Sequence, residues 1–347
     1  MNEKVENIIE NVGLPRIIIF FFLVSLFALA PIVGVSFETS INDVIVRFAM
    51  NGILVLSLVS MVKSGCGLNF GLQLGIIAGL LGAVISIEMQ LRGFAGFFTA
   101  IGIAIFIAVI LGFFYGVLLN KIKGDEMVVA TYVGFSSVSL MSIFWLILPF
   151  KSPNMIWAYG GLGLRTTISN EGYWLHILTN FFQIKIGSHI NIPTGTILFF
   201  ALLCLLVWAF FRTKIGTAMT AVGSNPEYAR SCGVKVNKTR VISVILSTVL
   251  SAIGIIVYQE SFGFIQLYMA PLYMAFPAIA ALLLGGASVG KASIKNVIIG
   301  TFLFQGILTM TPSILNNIIQ SDMSEAIRMI VSNGMIVYAL TRVVRVR

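Results

Sequence analysis

Apolar runs of about 20 residues recur from one end of this chain to the other, the length a helix needs to cross roughly 30 Å of hydrocarbon. Inside hydrocarbon every backbone polar group needs an internal partner, so only helices and closed barrels can span it. A barrel would show alternating segments of about 10 residues, and the sequence has none. The runs fall at 17–35, 42–62, 67–86, 96–119, 127–149, 193–211, 241–259, 274–290, 295–311 and 324–342. Only 10% of the 347 residues are charged, too few to cover a soluble surface of this size. The expected fold is an all-α polytopic membrane protein of about ten transmembrane helices, one domain over 1–347.

Residues 1–16 do not read as a signal peptide, because Glu3, Glu6 and Glu10 oppose Lys4 and Arg16 and the next apolar run is too long for an h-region. Val5, Ile8, Ile9 and Val12 share a helical face that suits the membrane surface, and a frayed tail is the alternative. The net charge of +9 fixes orientation rather than binding nucleic acid. Six basic residues, Arg47, Arg92, Lys151, Arg165, Lys185 and Arg328, fall on one side of the membrane, and the remaining 16 of the 22 fall on the other. Positive-inside bias then makes both termini cytoplasmic. The longest external segment is 150–192. Its Trp174, Leu175, Leu178, Phe181 and Phe182 sit at helical spacing, as in an interfacial helix with aromatic anchors.

The third run carries Gly67, Gly71, Gly75 and Gly79, one glycine every four residues, with Asn69 and Gln73 at its polar start. Two readings stay open. Small residues on one face let a second helix approach, with Asn69 bonding a neighbour. Alternatively, a broken, glycine-rich crossing lines a cavity, since irregular backbone survives in a membrane only where protein or water satisfies it. Candidate pathway residues are Asn51, Asn69, Phe70, Gln73, Gln259 and Gln266.

Residues 212–240 form the main polar excursion, with two small polar turns and a short helix. Asn225-Pro226-Glu227 is a strong helix start: Asn caps, Pro is favoured at the first position, and Glu complements the dipole. Tyr228, Ala229 and Arg230 continue the helix, and Gly233 is placed to stop it. Two turns alone do not repay nucleation. The helix therefore needs a surface, either lipid headgroups or a cytoplasmic protein.

This loop resembles that of ABC importer permeases of the ribose, simple-sugar, nucleoside and branched-chain amino-acid group. Their pattern reads R-T-x-x-G-x-A-x-x-A-V-G-x-N-P-x-A-A-x-x-x-G-I-x-V. The chain matches at Arg212, Thr213, Gly216, Ala218, Ala221, Val222, Gly223, Asn225, Pro226, Ala229, Gly233 and Val236. It departs at Tyr228, where Ala is usual, and at Val234, where Ile is usual. The likeness continues through 278–308, an apolar run ending in Gly285-Gly286-Ala287-Ser288 before another glycine-rich span. The resemblance implies a dimer with a second copy or a homologous permease. It also implies loop helices seated in clefts of two ATP-binding subunits, and an extracytoplasmic binding protein that delivers solute. ATP and Mg would belong to the partner ATPase, with no cofactor or catalytic residue in this chain, and the location would be the cytoplasmic (inner) membrane. GLNFG at 67–71 is similar to the nucleoside-type members or to a sugar branch.

Gly285 to Lys291 nearly spells a Walker A loop, but Ala292 stands where a Mg²⁺-binding hydroxyl belongs and no strand precedes it. Cys66, Cys204 and Cys232 have no metal or redox spacing, and His176 and His189 are isolated. No carboxylate falls mid-crossing, where a proton relay would need one. The expectation from this absence is a small neutral solute moved by an external motor, and the resemblance implies a simple sugar or nucleoside. The alternative is a secondary carrier working without an ATPase.

Overall fold

The computed structural model describes residues 14–157, 163–186, 190–288, 290–319 and 324–344. The surface-helix expectation for the N-terminus lies, for residues 1–13, outside the described residues. The helices are α1 (Leu14–Leu29), α2 (Phe37–Lys63), α3 (Gln73–Glu88), α4 (Gly93–Lys121), α5 (Glu126–Ile147), α6 (Thr194–Phe211), α7 (Lys214–Ser224), α8 (Pro226–Ser231), α9 (Val236–Phe262), α10 (Ala270–Tyr273), α11 (Ala275–Leu284), α12 (Ile294–Ile319) and α13 (Ser324–Val344). Among the described residues, six of them (α2, α4, α5, α6, α9 and α12) are long and apolar enough to cross a membrane. The apolar segments Arg16–Leu29, Gln73–Glu88 and Ala270–Leu284 are shorter.

The core forms around α9, which packs on α2, α3 and α4, while α12 packs on α1, α2, α11 and α13. Small residues set these approaches. A Cβ at Gly75 would run into Ser251, and one at Gly79 would meet Ile255 and Ala252, so α3 and α9 touch nearly backbone to backbone. Gly67 and Gly71 play another part. Both precede α3, in a non-helical stretch at 64–72, and Gly67 has φ +76°. The glycine face on a helix is therefore confined to Gly75 and Gly79.

One end of the bundle carries Lys63, Lys121, Arg212 and Lys235 at the termini of α2, α4, α6 and α9. The opposite end departs from an all-helical expectation in two small antiparallel pairs: β1 (Thr167–Ser169) with β4 (Phe264–Gln266), and β2 (Ile184–Ile186) with β3 (Ile190–Ile192). The interfacial helix expected around 174–182 is instead a run of turns. His176 and Phe182 both take φ of 53°, which interrupts any helix. Trp174 is fully buried with its ring edge-on to Phe97, and Leu178 is buried, while Phe181 and Phe182 stay exposed. Glu260 explains the local shape. Its carboxylate accepts the backbone N–H groups of Leu178 (2.9 Å) and Thr179 (3.0 Å) and the hydroxyl of Ser261 (3.0 Å). Burial holds the His176 imidazole below its ordinary pKa.

Candidate functional site

Between α6 and α9 the chain makes the expected short helix, α8, preceded by a helix, α7, where the sequence predicts polar turns. Thr213 caps α7, its hydroxyl accepting the Gly216 N–H at 3.3 Å. Met219 and Val222 then fall on one face and are buried. Asn225 ends α7 and caps α8, its Oδ1 accepting the Tyr228 N–H at 3.0 Å, with Pro226 next in line. The far end of α8 closes with two backbone bonds: Gly233 N–H donates to Arg230 C=O (2.9 Å) and Val234 N–H to Ala229 C=O (3.0 Å). This is a Schellman motif, and its turning residue, Gly233, sits at φ +81° with open space around its Cβ position. Ala229 is buried against Val222 and Val236, with Val234 alongside. The inner face of α8 thus rests on its own neighbours, while Glu227, Tyr228 and Arg230 point outward and Tyr228 is 68% exposed. Glu227 and Arg230 pair at 3.3 Å on the surface.

Gly223, near the end of α7, lies directly on the backbone of Lys63 and Gly65. A side chain there would collide with the Lys63 carbonyl. Lys63 also rests its ammonium 4.2 Å over the ring of Phe211, the last residue of α6. The loop helices therefore bear on the 64–72 turn.

That turn is held by polar contacts. Asn69 Oδ1 accepts from the Tyr115 hydroxyl (3.0 Å) and the Gly71 N–H (3.0 Å), and Asn69 Nδ2 donates to Ser247 Oγ (2.9 Å). Ser64 and Ser243 share a 2.6 Å hydroxyl bond. Arg240, one turn into α9, reaches Cys66 Sγ through Nε at 3.2 Å and Glu126 at the start of α5 through a second nitrogen at 2.5 Å. The two side chains of this ion pair are only 9% and 16% exposed. Arg240 thus ties the turn, α5 and α9 together, directly after the loop helices.

Of the candidate pathway residues, the structure brings Asn69, Phe70 and Gln73 together. Gln73 is fully buried with neither amide atom hydrogen-bonded, and its Oε1 lies over Gly134 of α5. The Phe70 ring is 5.9 Å from that of Phe276, on which Phe135 stacks at 6.0 Å. Asn51, on α2, donates to the Arg47 carbonyl of its own helix. Gln259 and Gln266 lie at the opposite end. Gln259 is buried and unbonded, and Gln266 pairs with Thr167 between β4 and β1. Sequence reading missed Glu126, Arg240, Tyr115 and Ser247 as partners of the turn. Arg240 carried a signal, being a basic residue in the first turn of an apolar helix. Among the described residues no three His, Cys, Asp or Glu side chains gather as a metal site.

The profile of the branched-chain amino acid transport system / permease component family matches residues 40–340, most of the chain. The chain belongs to this family. It is an importer permease of the ABC type, a multi-pass transport subunit rather than an enzyme. Among curated proteins, this permease is 25% identical over 272 residues to the autoinducer 2 import system permease protein LsrC of Photorhabdus laumondii, covering 76% of the chain and 72% of the relative. It is 25% identical over 299 residues to the LsrC protein of Yersinia pseudotuberculosis, covering 84% and 75%. With the LsrC protein of Klebsiella pneumoniae it shares 29% identity over 171 residues, 48% of the chain and 49% of the relative. No solved structure matches the permease.

Proposed function

We propose that the permease is the single transmembrane domain of an ATP-driven importer in the cytoplasmic (inner) membrane, with about ten crossings and both termini in the cytoplasm. It passes a small neutral solute, a simple sugar or nucleoside, received from an extracytoplasmic binding protein. A second copy or a homologous permease completes the path. The helix at 225–233 docks on a separate ATPase subunit, which holds the ATP and Mg. One observation carries this reading. A six-residue helix closed at both ends by its own caps turns Glu227, Tyr228 and Arg230 to the outside and seats Ala229 inward. Caps of this kind keep a short helix in one orientation before any partner arrives, which lowers the ordering cost of docking.

The same geometry suggests how motion travels. Displacing α8 moves α7, and Gly223 transmits that displacement to Gly65 and the turn bearing Asn69 and Gln73. The buried carboxamide of Gln73, beside Phe70, Phe135 and Phe276, offers both a donor and an acceptor next to aromatic faces, a chemistry suited to a hydroxylated ring. Co-expression with the neighbouring ATP-binding subunit tests the reading. Wild-type permease is expected to co-purify with that subunit and to support ATP-dependent uptake. An Asn225→Ala/Pro226→Ala double variant that inserts normally is expected to retain little of it. Full co-purification by that variant would remove α8 as the contact, and uptake without any ATPase would favour a secondary carrier.

A further inference from the structure

At the basic end of the bundle a groove of about 330 Å³ opens between the last turn of α4 and the first turns of α9. Val117, Asn120 and Lys121 line it from α4, and Asn237, Lys238 and Val241 from α9. The two helices are linked beside the groove by Asn120 Nδ2, which donates to the Asn237 carbonyl at 2.8 Å. The other amide atom, Asn120 Oδ1, is buried and accepts no bond. Lys121 and Lys238 are exposed, and among the described residues neither has a carboxylate within ion-pair distance. Glu126, half-buried at the start of α5, is engaged by Arg240.

The position of the groove along the helix decides what would fill it. Lys121 is the last residue of a 29-residue helix that is apolar enough to span a membrane, so the groove sits at headgroup depth. One turn further into the membrane, Phe113 and Phe114 are 49% and 66% exposed. At i, i+3 and i+4 spacing they share a face with Val117. A cationic recess large enough for a lipid headgroup therefore continues into an uncovered apolar stripe on the same helix. A diacyl lipid has the same order of parts, an anionic head followed by hydrocarbon.

The geometry points to a bound acidic phospholipid: its phosphate lies between Lys121 and Lys238, and an acyl chain runs along Val117, Phe114 and Phe113. Basic recesses between transmembrane helices on the positive side of a membrane are suited to such heads. Each lysine near the anionic phosphate contributes on the order of fivefold in affinity.

Native mass spectrometry of the purified full-length permease, released from nanodiscs of phosphatidylglycerol or of phosphatidylethanolamine, tests this. The expected result is a retained phosphatidylglycerol adduct and a much weaker phosphatidylethanolamine adduct. In the Lys121→Gln/Lys238→Gln variant the phosphatidylglycerol adduct is expected to weaken by on the order of 30-fold. Lys214→Gln, on α7, is expected to leave it unchanged. Should the double variant not insert, Lys238→Gln alone is expected to show about a fivefold loss. Equal retention of the two lipids, or equal loss in Lys214→Gln, would overturn the site. Displacement of the lipid by millimolar inorganic phosphate alone would assign the groove to a free anion instead. Loss of a co-purifying ATPase from the double variant, with lipid retained, would make the groove a protein contact and equally refute the proposal.

Discussion

At position 233 only the backbone is at stake. Gly233 has nothing near its Cβ position, yet its φ of +81° is one that L side chains avoid. A β-branched residue there is expected to cost roughly 1–2 kcal/mol and to open the Schellman closure of α8. Gly233→Val is therefore predicted to insert normally but to lose ATP-dependent uptake, whereas Gly233→Asn, which tolerates this conformation, is predicted to retain most of it. Uptake by Gly233→Val equal to wild type would separate the motif from coupling. Asn69 poses the opposite problem, because its side chain is fully used. Asn69→Leu would leave the Tyr115 hydroxyl, the Ser247 hydroxyl and the Gly71 N–H without their partner. An unmade buried bond costs about 1–3 kcal/mol. The predicted outcome is a lower melting temperature in detergent together with reduced transport, and an unchanged melting temperature would contradict the contact set. The capping residues Asn225, Pro226 and Gly233 were legible in the sequence because a cap acts within three or four residues. The polarity of Asn69 was legible too, but its partners were not, since Tyr115 and Ser247 lie 46 and 178 positions away.

Among the elements, the start of α9 links the loop helices to the bundle. Arg240 and Glu126 form an ion pair almost closed off from water. Removing one partner strands the other charge, typically at about 3–5 kcal/mol, while removing both costs much less. Arg240→Met and Glu126→Gln are each predicted to lower thermal stability strongly, and the double variant to recover part of the loss. Additive losses would show that the two side chains do not act as a pair. Apolar length located the six helices that are long enough to span among the described residues, because hydrocarbon thickness is a local demand. Helix α7 was read as turns, since its buried face is only Gly216, Met219 and Val222 and the surface it rests on is distant in sequence. Trp174 was read as a surface anchor from spacing alone. Spacing says nothing about the ring of Phe97 or the carboxylate of Glu260 that draw this segment inward.

For the molecule as a whole, sidedness and partnership are the linked questions. Cys232, at the end of α8, is the exposed cysteine of the three, and Cys66 is buried. A membrane-impermeant thiol reagent is predicted to label Cys232 in inside-out vesicles and not in intact cells, in keeping with a cytoplasmic loop. Labelling in intact cells would invert the topology and remove the loop from reach of any ATPase. The central claim, that α8 is the seat of the motor, is tested most directly by a photo-crosslinking residue at Tyr228, whose side chain points away from the bundle. Irradiating the assembled transporter, with mass spectrometry of the products, is predicted to give a covalent adduct to the ATP-binding subunit. Adducts to lipid alone, from an assembly that still contains that subunit, would contradict it.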